Sequence, residues 1–354
     1  MTSRQRVEAA LRHREPDRTP IFEYVLLSPI ADAILGRPYA NDPAHWPSLV
    51  RERGWQAAVR QLAVDQLDLA ARLGHDMLYV TPNPPEPRAN EPQPEPLPPD
   101  DPVERLRQRN DDAQAAFDPH DDKPFLVYTF LKDEMRRRGL DLPLLAPGYG
   151  HGVWTDVDLM QTMMLAPEVA REHFRLATRR VLASVERYVA LGIEQIGVGG
   201  DFAGNRPLIS PQAYREFIVP EVRQVSRAAH AAGRVAINAS DGNLWPVIDD
   251  FLFGCEADGY IEIDRHATMD LRRLKAIYGD RFTFYGNLDC GNILSFGGID
   301  DVRQHVIECL EAGLGGGGHV LCSSNAITAS VPLENYLTVV HTYRDFFGLA
   351  RLSI

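Results

Sequence analysis

Residues 236–247 read AINASDGNLWPV. An apolar run ends at Ile237, gives way to Asn238, Ala239, Ser240, Asp241, Gly242 and Asn243, and a helix-like apolar pattern resumes at Leu244. A strand that dissolves into small polar groups before a helix is the junction found at the mouth of a parallel β/α sheet, where ligand sites are built. The same junction recurs along the chain. Apolar runs at 21–25, 77–81, 143–148, 195–200, 235–240, 260–264, 283–288 and 319–323 are predicted strands, and the longer periods between them are predicted helices. In one of these, ISPQAYREFIVPEVRQVSRAAHAAG, Ser210 before Pro211 supplies an N-cap and Gly233 closes the run. About eight strand and helix units imply a (β/α)8 TIM barrel, preceded by a helical extension over residues 3–14. An open doubly wound sheet is the alternative, but no G-x-G-x-x-G follows the first strand.

Composition narrows the function. The 354 residues, 44% hydrophobic and 24% charged, suit a single globular domain spanning 1–354. With 49 acidic and 37 basic residues the net charge is −12, and no dense Lys/Arg run offers the basic footprint that nucleic acid requires. No apolar stretch reaches the length of about 18 residues that spans a membrane, and residues 1–20 lack the apolar centre of a signal peptide. Cys255, Cys290, Cys309 and Cys322 are scattered without a CxxC pair, which fits a reducing cytoplasm and leaves no thiolate metal site by spacing. Residues 82–100, rich in Pro and Glu, are expected to be an exposed surface loop, with a lid over the mouth as the alternative.

Polar residues recur at the predicted strand ends. Asn238, Asp241 and Asn243 follow the fifth strand. Asp201 follows the fourth, Asp264 and His266 the sixth, Asn287 and Asp289 the seventh, and Cys322 and Asn325 the eighth; the third leads into His151 and Trp154. Any one of them is equally an ordinary cap or turn residue. Together they make an acidic, hydrogen-bonding mouth, in which carboxylates raise one another's pKa and turn one of them into a proton donor near neutrality.

The segments RQRVEAALRHREPDRTP, LISPQAYREFIVPEV, SDGNLWPVIDD, YGNLDCGNIL and GGGHVLCSSNAITASVPLENY together resemble the uroporphyrinogen decarboxylase superfamily, over nearly the whole chain. The resemblance implies a (β/α)8 barrel, and either decarboxylation or cobalamin-linked methyl transfer. Decarboxylases of the family carry an arginine-rich motif after the first strand; here that stretch is PIFEYVLLSPIADAI, with Glu23 and Tyr24 and no arginine. The zinc methyltransferases use a His-x-Cys pair and a later Cys. Ala239, Asp241 and Asn325 stand at those places, which makes zinc an unexpected cofactor.

The expected activity is methyl transfer or O-demethylation of a small methylated or methoxylated compound. A corrinoid carried by a partner protein would accept the methyl group, and no cofactor would be held tightly. Asp201, Asp241, Asp264 and His266 are the expected catalytic groups, with Tyr24, His151, Asn238, Asn243, Asn287 and Asn325 binding substrate. Decarboxylation of another carboxylated molecule and a non-catalytic ligand-binding barrel are the alternatives. Monomer and homodimer both stay open.

Overall fold

The computed structural model describes residues 1–87 and 100–352. Its centre is a parallel sheet of seven strands in sequential order: β1 (Leu78–Tyr79), β2 (Leu144–Pro147), β3 (Gln195–Gly199), β4 (Val235–Ala239), β5 (Gly259–Ile261), β6 (Thr283–Tyr285) and β7 (His319–Val320). Six lie inside a predicted run, and β5 begins one residue before its run. The sheet curls, since the Tyr285 hydroxyl on β6 reaches Gln195 on β3 at 2.5 Å across its concave side, past β4 and β5. The run predicted as a first strand, 21–25, is not a continuous strand; only Ile21 forms a parallel bridge, to Leu321. Backbone bonds nevertheless place this segment at the seam. Phe22 N donates to Leu321 O at 3.1 Å, and Asp76 N donates to Ile21 O at 2.7 Å. The arrangement is consistent with a TIM-like barrel whose first stave is reduced to two isolated bridges, Ile21 to Leu321 and Leu26, just past the run, to Ile327.

Alternation along the strands sorts residues into two apolar layers. Ile237, Ala239, Ile261, Tyr285, Val320, Phe22 and Tyr24 share an inner cluster with Val7 and Ala10 of the helix Ser3–Leu11. That helix thus fills the floor of the curl. It ends at Leu11, short of the predicted 14. Fully burying a side chain such as Ile237 contributes roughly 1.5–3 kcal/mol. The outer layer packs helices on the sheet. In Val219–Ala231, buried Val219, Val222, Val225 and Ala229 recur at helical spacing. Ser210 caps the preceding turn by accepting from Ala213 N at 3.1 Å. The backbone widens to a π turn over Tyr214–Ile218, just ahead of Pro220, which has no N–H to continue the ladder.

Residues 88–99, the centre of the expected 82–100 loop, lie outside the described residues. The start of that loop is tied down: Trp55 Nε1 donates to Pro84 O at 3.0 Å and Asn83 N to Pro124 O at 2.9 Å.

Candidate active site

The stretch after β4 folds back on the loop after β3. Gly242 adopts φ +87°, and a Cβ there would stand 2.4 Å from Gly204 O, so only glycine permits the approach. Asn243 N then donates to Gly204 O at 2.8 Å. This fixes Asp241, whose N–H donates to Asp201 Oδ1 at 3.0 Å. From the loop after β7, Asn325 Nδ2 donates to Asp241 Oδ2 at 2.5 Å. Three predicted residues, Asp201, Asp241 and Asn325, therefore meet.

A fourth member is Glu262, which was not among the expected residues. Ile261 belongs to the inner layer and Ile263 to the outer, so regular alternation points Glu262 outward. Its backbone is instead left-handed, at φ +72°, and the side chain enters the mouth at 8% exposure. Non-glycine residues adopt this conformation rarely and at a cost of about 1 kcal/mol or more. Glu262 lies within hydrogen-bonding reach of Tyr24 and Asp201. The available signal was an acid between two isoleucines at a strand end, a poor place for a carboxylate without a task.

Asp201 and Glu262 face a cavity of about 300 Å³ whose walls also include Tyr149, Trp154 and Ala239. Tyr79 stacks on Tyr149 at 6.4 Å and Tyr24 lies 4.4 Å from Tyr79, and the Tyr24 and Tyr79 rings line a neighbouring cavity with Tyr39 and His75. Burial raises the Asp241 carboxyl to about 7, helped by the charges of Asp201 and Asp264; the Asn325 amide opposes the rise. Burial, then the charges of Asp201 and Asp241, push Glu262 well above the usual carboxylate range. A proton is thus held among these carboxyls at neutral pH. Such a cluster can protonate a departing or newly formed anionic atom.

Other expected residues face elsewhere. Asp264 stands on the rim, near enough to act on Asp241, with Oδ1 accepting from Ala267 N at 3.1 Å. His266 is exposed in that turn. His151 is fully buried, its Nε2 2.9 Å from Thr178 Oγ1 on the helix Pro167–Ala190, and burial lowers its pKa to about 4. Asn238 alternates outward and donates to Phe251 O at 2.9 Å. Asn243 Oδ1 caps Trp245 N at 3.1 Å. Asn287 donates to Met269 O at 3.3 Å, beside Cys309. The structure thus places Asn238, Asn287 and His151 in the outer packing and Asn243 in a cap, apart from the Asp201–Asp241–Asn325 group. Glu23, next to Tyr24, turns away from the cavity to accept from the Ser323 hydroxyl, and burial raises its carboxyl to about 7.

The zinc site implied by the resemblance does not fit these residues. Ala239 has no donor atom, and Asn325 presents its amide N–H to Asp241. Burial holds Cys322, the nearest thiol in sequence, well above the ordinary thiol pKa, with the charges of Glu23 and Glu262 adding to it.

A family model described as "Uroporphyrinogen decarboxylase (URO-D)" matches residues 150–346, more than half of the chain and all of the segment that carries Asp201, Asp241, Glu262 and Asn325. The chain belongs to the uroporphyrinogen decarboxylase family. Within the family it is 24% identical over 251 residues to a uroporphyrinogen decarboxylase of Aromatoleum aromaticum, covering 64% of this chain and 65% of that one. It is 23% identical over 227 residues to a methylated-thiol–coenzyme M methyltransferase of Methanosarcina mazei, covering 60% and 56%. The chain thus spans less than two thirds of the length of either relative. A solved methyltransferase from Methanosarcina mazei superimposes with a TM-score of 0.70 at 18% identity, covering 98% of this family member and 99% of that chain, which establishes a shared fold. Among the described residues, no helix is long and apolar enough to cross a membrane.

Proposed function

We propose that this family member is a single-domain (β/α)8 methyltransferase that removes a methyl group from a small methylated or methoxylated compound. The observation that carries the reading is the Asp201–Asp241–Glu262 carboxyl cluster, in which burial raises the pKa of two members, beside a cavity walled in part by Tyr149 and Trp154. The relatives named as methyltransferases support the class of reaction. A reduced corrinoid on a partner protein would supply the nucleophile that accepts the methyl group. The heteroatom left behind keeps the bonding pair and takes a proton from the cluster, which leaves a carboxylate steadied by the Asn325 amide. Asp241, at about 7, is the group poised to change charge in that step. The rings of Tyr149 and Trp154 at the cavity wall orient the substrate. Decarboxylation fits less well, because a carboxylated substrate meets acids at the cavity wall and no basic side chain among the lining residues.

The test is single-turnover methyl transfer to a reduced corrinoid protein from a panel of methoxylated and methylated compounds, followed by the corrinoid absorbance change. The expected result is methyl transfer that Asp241→Asn abolishes. Carbon dioxide release from a carboxylated substrate without any corrinoid would overturn the reading.

A further inference from the structure

Two buried carboxyls elsewhere in the molecule are matched with arginines, whereas Asp289 is held by Asn292 and Glu23 by Ser323. Asp76, with no exposed surface, pairs with Arg6 and Arg18, each at 2.6 Å, and Asp65, equally buried, pairs with Arg37 at 2.6 Å. The mouth gathers several carboxyls that lack an arginine. Among the described residues none of Asp201, Asp241 or Glu262 forms an ion pair, although Glu262 is as enclosed as a core residue. Their partners are an amide, a backbone N–H, a tyrosine hydroxyl and one another. Buried charges are matched by opposite charge, or they take up protons. Here protons fill that role in the free protein.

A second observation comes from the opposite wall. The Tyr149 ring, with that of Trp154, lines the same cavity, while its buried hydroxyl is turned inward over Gly197, within hydrogen-bonding reach of Tyr24. Aromatic faces beside carboxyls match a cation whose charge is spread over methyl groups, because such an ion has no N–H to satisfy and its shell of water is weakly held. A hydrated metal ion would instead need oxygen ligands on all sides.

We infer that the mouth of this barrel recognises a methylated onium cation, a quaternary ammonium or sulfonium group, as the charge-bearing part of its substrate. The inference rests on the methyl-transfer reading and deepens it by naming the substrate class. The onium group displaces one proton from the cluster. An onium centre that gives up its own methyl leaves as a neutral amine or thioether and takes no proton. The remaining proton therefore serves a methoxyl or methylthio group of the same substrate, whose heteroatom leaves as an anion. The titratable groups facing the cluster are Tyr24, Tyr79 and Tyr149 on one side and Asp264, Tyr260 and Cys322 on the other. None of them supplies a positive charge.

Titration calorimetry with the full chain tests this, using choline and its neutral isostere 3,3-dimethylbutan-1-ol as probes in buffers of different ionisation heat. Choline is expected to bind with release of protons and with affinity rising about tenfold from pH 6 to pH 8, as a group titrating near 7 requires. The isostere is expected to bind at least about tenfold more weakly, and Glu262→Gln to weaken choline by a similar factor. Should Glu262→Gln fail to fold, the pH dependence of the unaltered protein decides alone. Equal binding of the isostere, affinity that is flat or falls with pH, or no choline binding whether or not magnesium or zinc ions bind, would each overturn the inference. Methyl transfer from methoxyarenes without choline binding would sink the onium proposal and spare the methyl-transfer reading. Choline binding without transfer to any corrinoid would do the reverse.

Discussion

Asn325 donates its amide to Asp241 from a loop 84 positions further along the chain, at 2.5 Å, and so links the end of β7 to the end of β4 across the mouth. This bond stabilises the ionised form of Asp241 and opposes the upward push of burial. Asn325→Ala removes it, and the Asp241 carboxyl is expected to titrate above 7 rather than near it. Carboxyl carbon NMR across a pH series checks the direction; an unchanged or lowered value would refute this role for Asn325.

Asp241→Asn is expected to lower methyl-transfer turnover by roughly a hundredfold or more, the scale of a lost acid catalyst. The stability effect runs the other way. A carboxyl raised from 3.8 to about 7 on folding binds more protons in the native than in the unfolded state, so its contribution to stability declines as pH rises from about 4 to 7. The variant is therefore expected to melt a few degrees higher than the parent at pH 8, with a smaller difference at pH 5. Thermal denaturation at the two pH values decides.

At Glu262 the backbone and the side chain make separable demands. Because φ is +72°, Glu262→Gly relieves the backbone while Glu262→Val adds a branched Cβ to a strained conformation. The valine variant is expected to be less stable than the glycine variant by at least about 1 kcal/mol, and both are expected to lose activity. Chemical denaturation of the pair gives the difference, and equal stabilities would argue that the left-handed backbone does not persist in solution.

The histidines give a contrasting pair. His266→Ala is expected to change turnover by less than about twofold, since the ring is exposed on the rim. His151→Ala is expected to cost about 1–3 kcal/mol of stability through the loss of a buried ring and its bond to Thr178. A large loss of turnover in the first would restore His266 as a catalytic group.

Much of the strand order was legible because turn chemistry follows each apolar run, and β1 to β7 all overlap such runs, β5 starting one residue early at Gly259. The IFEYV run misled in one respect. Its alternation is real, with Phe22 and Tyr24 inward and Glu23 outward, but Ile21 alone forms a bridge. In the site, Asp201, Asp241 and Asn325 were readable as strand-end polar groups that had somewhere to converge. Asn238 and Asn287 were not separable from them, because type and position are the same and only the direction of the side chain differs. Glu262 was hidden for a physical reason: its place depends on one backbone angle, which no periodicity encodes.

The floor of the barrel has a timetable. Glu23 and Ser323 meet across 300 positions, and Phe22 waits for Leu321 over almost the same span. At about 5–20 residues per second, synthesis separates the two partners by on the order of 15–60 s. During that interval Val7, Ala10 and Phe22 have no β7 to cover them, and the seam that positions Tyr24 at the mouth does not exist. Substrate recognition is therefore among the last properties this chain acquires as it is made, and a nascent chain stalled before Leu321 would offer chaperones an uncovered apolar floor.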